Sequence, residues 1–276
     1  MTLAEALHQG EEQLLNAGVP EAELNAWYLF AHFFQMERSR YFLFKDSAAE
    51  PDRQKAYETA LAKRAERIPL EYITHETEFM GLPFYVDENV LIPRQDTECL
   101  VEEVLKKSWG REVLDLCTGS GCIGISLAAL GNCHSVTMTD ISEGALRVAE
   151  RNARKNGVQV SLLRSDLFTS VEGTFDIIVS NPPYIPTAEV ETLMPEVREH
   201  EPRLALDGAG DGLLFYNSII KESGHFLRKG GWLFFEIGSG QGEAVSKRMR
   251  QAGFSEVEVK KDLAGLERIV CGCLQK

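Results

Sequence analysis

Apolar residues recur at helical spacing through the first seventy positions. Leu3, Leu7, Leu14 and Leu15 form one stripe, and Leu24, Trp27, Tyr28, Ala31 and Phe34 a second. A third helix is predicted from near Pro51 through Tyr57, Ala60, Leu61 and Arg64, until Pro69 stops it. Residues 1–71 therefore read as a small helical domain, with the aromatic stripe as bundle core rather than docking face. Between 72 and 92 the pattern changes to short Phe, Tyr, Val, Leu and Ile runs around Gly81-Leu82-Pro83 and Asp87-Glu88-Asn89, a β-hairpin linker.

From 93 to 276 strand and helix signals alternate. DTECLVEEVLKK is an amphipathic helix with Asp96 as its expected N-cap, REVLDL a strand, CIGISLAAL a helix and SVTMTD a strand. A helix follows from Ser142 to Gly157; then come strands in VQVSLLRSDLF and FDIIVSN. DGLLFYNSIIKESGHFLRKG reads as helix, GWLFFEIG as buried strand and QGEAVSKRMRQAG as helix. EVEVKKD and LERIVCGCLQK close the chain as two strands, expected to leave an antiparallel strand at the sheet edge. Seven strands in this alternation predict an α/β fold, a doubly wound, mostly parallel sheet whose ligand sits at the carboxyl ends of the strands.

Composition narrows the function classes. A formal net charge of -13 opposes holding nucleic acid by phosphate neutralisation, which needs clustered Lys and Arg. The N-terminal MTLAEALHQGEEQLL lacks a basic segment followed by an apolar stretch, and no window approaches 18 apolar residues, so a cytoplasmic protein without a membrane partner is expected. The six cysteines show no C-x-x-C pairs and no nearby histidine partners, so no metal and no disulfide framework is expected.

The first parallel strand runs into Asp115-Leu116-Cys117-Thr118-Gly119-Ser120-Gly121-Cys122-Ile123-Gly124, with glycines at the three places of G-x-G-x-x-G. Nicotinamide enzymes and users of S-adenosylmethionine share that loop, since both need close backbone approach to a ligand. Asp115 beside the loop opposes a pyrophosphate and suits a ligand carrying an ammonium and a sulfonium. Asp140, ending the second strand, is placed to accept from ribose hydroxyls, and Asp166 with Leu167 or Phe168 lies near the expected adenine pocket.

FDIIVSNPPYIP, residues 175–186, ends a buried strand on Asn181-Pro182-Pro183-Tyr184 at the same sheet edge. Each residue before a proline is pushed to extended backbone, so the segment is stiff. The Asn181 side-chain oxygen and the Pro182 carbonyl can each accept a hydrogen from a substrate –NH2, with Tyr184 stacking on the planar group that carries it. A planar amine or amide is the implied substrate; a nicotinamide oxidoreductase has no use for this segment.

Asn-Pro-Pro-Tyr downstream of such a loop resembles the amino-methyltransferases, which act on adenine or cytosine amines of nucleic acids or on a glutamine carboxamide in protein. Over nearly its whole length the chain resembles the HemK/PrmC family, the peptide chain release factor glutamine methyltransferases. The segments that carry the likeness are 69–98, DLCTGSGCIGI at 115–125, FDIIVSNPPYIP, EVREHEPRLALDGAGDGLLFYNSII at 196–220, and DLAGLERIV at 262–270. The resemblance implies a class I methyltransferase domain of Rossmann-like fold behind a substrate-recognising helical domain and a hairpin linker. It implies methylation of the glutamine in the Gly-Gly-Gln loop of class 1 release factors, with no direct nucleic-acid binding. By position it assigns S-adenosylmethionine to Cys117, Thr118, Gly119, Ser120, Gly121, Asp140, Leu167 and Asn181, joined by Asp166 from the strand-end reading. It assigns substrate binding to Asn181, Pro182, Pro183 and Tyr184, with Asn181, Pro182 and Tyr184 catalytic. The chain departs from the family at Cys117, where Gly is frequent, at Gln95, where Pro is usual, and at Leu167, where some relatives carry Trp. Phe79, Arg94, Thr97 and Glu98 belong to the shared signature, with packing and capping the expected roles.

Overall fold

The computed structural model describes residues 1–275; Lys276, the end of the last predicted strand, lies outside the described residues. The chain forms two compact units, one of residues 1–75 with 194–200, the other of 76–193 with 201 onward.

The first unit holds α1 (Leu3–Asn16), α2 (Ala22–Phe34), α3 (Arg38–Phe44), α4 (Pro51–Ala65) and α5 (Leu70–Thr74). Thr2 caps α1: its hydroxyl accepts from the Glu5 N–H (3.2 Å), while the Glu5 carboxylate accepts from the Thr2 N–H (2.7 Å). Leu14, Leu29, Phe30, Tyr57 and Leu61 are buried in one cluster. At Gly10 a Cβ would fall 2.1 Å from the Tyr57 hydroxyl, so only glycine lets α1 lie this close to α4. The buried face of α2 is Ala22, Ala26, Leu29, Phe30 and Phe34, leaving Leu24 and Tyr28 exposed. The predicted stripe was thus displaced around a helix that is apolar on nearly every side. Helix α3, RSRYFLF, has no buried residue and gave no periodic signal.

The other unit begins with a hairpin, β1 (Thr77–Phe79) and β2 (Leu82–Phe84), followed by α6 (Gln95–Leu105), β3 (Glu112–Leu116), α7 (Cys122–Leu130), β4 (Ser135–Asp140) and α8 (Glu143–Lys155). Then come β5 (Ser161–Arg164), β6 (Phe175–Ser180) and α9 (Thr187–Val190). Helix α10 (Pro195–His200) belongs to the first unit, where Glu196 accepts from Arg67 through both oxygens (2.7 Å each) and from Arg64 at 2.8 Å. A 3-10 turn (Arg203–Ala205), α11 (Leu214–Phe226), β7 (Leu227–Glu236), α12 (Gly242–Gln251), β8 (Phe254–Lys261) and β9 (Glu267–Leu274) complete the chain.

The seven-stranded sheet has the order β5-β4-β3-β6-β7-β9-β8. The pairings from β5 through β7 are parallel, and β9 runs antiparallel to both β7 and β8. The antiparallel strand is therefore not the edge strand, as the sequence suggested, but lies one place inside it. Burial explains the order: ERIVCGCL is buried along most of its length, whereas FSEVEVKK alternates exposed charges suited to an edge. Strand β7 also begins earlier than expected, at Leu227, taking in residues that read as helix. Asp96 is not the N-cap of α6; Arg94 holds that place and Gln95 is the first helical residue, a position where proline is favoured. Among the described residues no helix is long and apolar enough to cross a membrane, and no group of three His, Cys, Asp or Glu could hold a metal ion.

Candidate active site

The turn between β3 and α7 reverses sharply through left-handed backbone at Cys117 (φ 60°), Gly119 (φ 56°) and Gly121 (φ 83°). A non-glycine residue in that region costs about 1–2 kcal/mol, which explains why glycine is frequent at the place Cys117 occupies. Around Gly119 a Cβ would meet nothing within 4 Å, so its backbone stands open. Gly121 differs: a Cβ there would fall 2.8 Å from Ile125 Cδ1, so this glycine serves packing of α7 on the sheet. Its nitrogen donates to the Thr118 carbonyl (2.9 Å), which tightens the turn.

Asp115 corrects the sequence reading. It is fully buried and off the cavity wall, and its Oδ2 accepts from the Thr118 hydroxyl (2.5 Å) and the Gly124 N–H (3.0 Å). It shapes the loop from behind instead of facing a ligand. Oδ1 has no partner, and burial pushes the carboxyl up to about 7. Asp140 does reach the cavity: Oδ2 accepts from the Gly119 N–H and Oδ1 from the Ser142 N–H, both at 2.9 Å. Each oxygen keeps a lone pair for a further donor, and burial raises the group above the usual carboxylate range.

A cavity of about 360 Å³ opens at the carboxyl ends of β3, β4 and β6, within the size range of ligand sites. Of the residues singled out in the sequence, Cys117, Thr118, Gly119, Ser120, Asp140, Asp166, Leu167, Asn181 and Pro183 form its wall, whereas Gly121, Pro182 and Tyr184 do not. The wall carries two carboxylates, Asp140 and Asp166, and one basic side chain, Arg94, whose guanidinium already donates to Glu201 at 2.5 Å. That balance suits a cationic nucleoside such as S-adenosylmethionine and opposes a pyrophosphate. Burial pushes the Cys117 thiol up to about 12, so it is neutral there.

Asn181 follows directly on Ser180, whose hydroxyl donates to the Leu116 carbonyl at 2.8 Å and ties β6 to β3 just below the site. Neither the Asn181 side chain nor the Pro182 carbonyl has a hydrogen-bond partner among the described residues. Beyond them Ile185 donates to the Leu206 carbonyl (3.0 Å) and accepts from the Gly208 N–H (2.8 Å), and Thr187 donates to Asp207 at 2.7 Å. The Tyr184 ring turns from the cavity toward the core, its hydroxyl 3.4 Å from Glu236 Oε1.

Several site residues carried no sequence signal of their own. Asn152 is buried on α8; its amide donates to the Tyr85 and Ser120 carbonyls (2.9 Å each) and its oxygen accepts from the Tyr85 N–H (2.7 Å), tying the hairpin exit to the glycine loop. Pro202, Leu204 and Ala205 from the segment between α10 and α11, with Phe215 from the first turn of α11, add an apolar wall. Of the shared signature, Arg94 and Thr97 line the cavity, whereas Phe79 is core and Glu98 accepts from the Met80 N–H at 2.6 Å.

Residues 95–265 match the family model of the methyltransferase small domain, and residues 5–74 that of the PrmC N-terminal domain. A release factor glutamine methyltransferase of Geobacter sulfurreducens is 41% identical over 98% of this chain and 96% of its own length. One from Moorella thermoacetica is 42% identical over 97% of each. Among solved structures, a methyltransferase from Pyrococcus furiosus matches with a TM-score of 0.57 at 19% identity, covering 82% of this chain and 100% of that one. The hMettl16 catalytic domain matches with a TM-score of 0.58 at 18% identity, covering 79% and 82%. These structures share the class I methyltransferase fold. With full-length likeness at this level joined to both family models and to the loop geometry, the chain belongs to the release factor glutamine methyltransferase family.

Proposed function

We propose that this methyltransferase acts in the cytoplasm on class 1 release factors, transferring a methyl group from S-adenosylmethionine to the side-chain nitrogen of the glutamine in their Gly-Gly-Gln loop. The reading rests chiefly on Asn181 and Pro182, two acceptor oxygens without partners among the described residues at the end of β6, beside an acidic cavity. Cys117, Thr118, Gly119, Ser120, Asp140, Asp166 and Leu167 would hold the cofactor, with Gly121 supporting the loop and the helical unit recognising the protein substrate.

When bound, the cofactor would supply a methyl group from its sulfonium, the S–CH3 bond breaking to leave a neutral thioether. A carboxamide nitrogen is a poor nucleophile because its lone pair is delocalised into the carbonyl, so positioning must provide most of the rate. The Asn181 side-chain oxygen and the Pro182 carbonyl accept the two amide hydrogens, turning the nitrogen toward the cavity and favouring localisation of its lone pair. As the new N–C bond forms, positive charge grows on nitrogen, and the same two oxygens stabilise it. The surplus proton then leaves to water. Tyr184 acts in this reading by bounding the amide site and fixing the loop, since its ring is directed toward Glu236.

Two experiments bear on this reading. Incubation with a purified class 1 release factor and labelled cofactor, followed by mapping, should place the label on the Gly-Gly-Gln glutamine. Label on adenine or cytosine of added nucleic acid instead, with steep salt dependence, would favour the base-modifying alternative. Separately, Asp140→Ala should weaken S-adenosylmethionine binding by about 1.5–3 kcal/mol, the loss of hydrogen bonds to a charged group. Calorimetry showing unchanged affinity would remove Asp140 from the cofactor site.

A further inference from the structure

Tyr184 is held at both ends by the segment that closes β7 and leads into α12. Its backbone carbonyl accepts from Gln241 Nε2 at 3.0 Å, while Gln241 Oε1 accepts from the Gly238 N–H at 2.9 Å. The two bonds fix the orientation of the Gln241 carboxamide, since only its nitrogen can donate to a carbonyl and only its oxygen can accept from an N–H. At the other end the Tyr184 hydroxyl faces the buried Glu236, whose own carbonyl accepts from the Tyr216 hydroxyl at 2.9 Å.

Close approach makes this bracket tight. A Cβ on Gly212 would lie 2.2 Å from the Tyr184 carbonyl oxygen and 2.7 Å from Gln241 Nε2, and one on Gly238 would lie 3.2 Å from Tyr184 Cδ2. Neither Gln241 nor Glu236 is on the cavity wall. The arrangement answers a problem that the two prolines leave open. They restrict the backbone at 181–183, and Ile185 beyond is pinned to Leu206 and Gly208, but neither constraint sets the rotation of the peptide between them, whose oxygen is the Tyr184 carbonyl held by Gln241.

We propose that Gln241 is a positioning residue for methyl transfer: by holding the Tyr184 carbonyl it fixes the aim of the Asn181 and Pro182 oxygens at the amide, with Glu236 as the second hold on the same residue. The inference rests on the function proposed above and adds a residue that never touches substrate.

Gln241→Glu tests it with almost no change of shape, since the carboxylate still accepts from Gly238 but cannot donate to Tyr184. Gln241→Met, neutral and of similar length, removes both bonds and guards against an effect of the added charge. The full-length variants are assayed beside the wild-type protein on a class 1 release factor, with calorimetry for S-adenosylmethionine and a melting curve. Both variants should lose about 10–100-fold in kcat, the scale of a misplacement near 1 Å, with the release factor KM and the cofactor Kd within about twofold of wild type. Wild-type kcat in both variants overturns the inference while leaving the proposed function standing. A fall in kcat accompanied by equal losses in cofactor affinity or melting temperature also overturns it, because that pattern marks a purely structural residue. Absence of methylation by the wild-type protein overturns the functional reading and this one together.

Discussion

Asn181→Ala should lower the rate of methyl transfer to a release factor by about a hundred- to a thousandfold, the usual effect of removing one preorganised polar group from a transition state. The side chain it removes sits on the cavity wall without a hydrogen-bond partner among the described residues, so alanine there breaks no hydrogen bond within them. Ser180 below and Ile185 above keep their own bonds to Leu116, Leu206 and Gly208, and the loop should hold its path. In the proposed mechanism, what disappears is one of the two acceptors that orient the amide and meet its growing charge. Alignment of two reactants is worth about 7–11 kcal/mol in favourable cases, so loss of one of two proposed orienting oxygens accounts for an effect of this size. Single-turnover rates at saturating S-adenosylmethionine measure the effect free of product release. Near-native turnover, with cofactor affinity unchanged by calorimetry, would remove Asn181 from the reaction.

Local chemistry was the legible part of the sequence. The glycine loop, Asp140 and Asn181 to Tyr184 each announce themselves within a few residues, because each needs a special backbone or a special side chain where it stands. The alternation of buried strands with amphipathic helices gave the sheet for the same reason. Residues that act across long sequence separations stayed silent. Asn152 bonds Tyr85, 67 residues away, and Gln241 bonds Tyr184, 57 away, yet each reads in isolation as an ordinary polar helix or loop residue. Asp115 was misread because a carboxylate at a strand end looks available; only the fold shows it turned onto Thr118 and Gly124. Helix α2 failed differently, since apolar residues on most of its faces leave the buried phase to its partners, Tyr57 and Leu61 among them.

Charge pairing in the first unit carries the other large effect, and its sign is fixed by the geometry around Glu196. The Glu196 side chain is only 12% exposed and that of Arg64 only 7%, so solvent screens the pair little. Burial alone would raise the Glu196 carboxyl, but the hydrogen bonds from Arg67 and Arg64 overcome it and bring the group down to about 2 from an ordinary 4.5. A carboxylate depressed in the folded state adds stability that is complete above its unfolded pKa and is lost as pH falls through the folded one. The unit should therefore lose about 2 kcal/mol between pH 4.5 and pH 2, less than the full shift because solvent reaches the Arg67 side of the pair. Asp115 and Glu236, each pushed up to about 7 by burial in the other unit, act with the opposite sign and in another window: protonation below neutrality relieves them, so that unit gains stability as pH falls from 7 toward 4. Hydrogen exchange at α4 and at β3 can follow the two trends separately. Glu196→Ala makes the stronger test at neutral pH, since it leaves the buried Arg64 and the half-buried Arg67 without their shared carboxylate and should destabilise the helical unit by about 3 kcal/mol. Protection of α4 unchanged in that variant, or unchanged in the wild type down to pH 2, would show that the two arginines do not depend on Glu196.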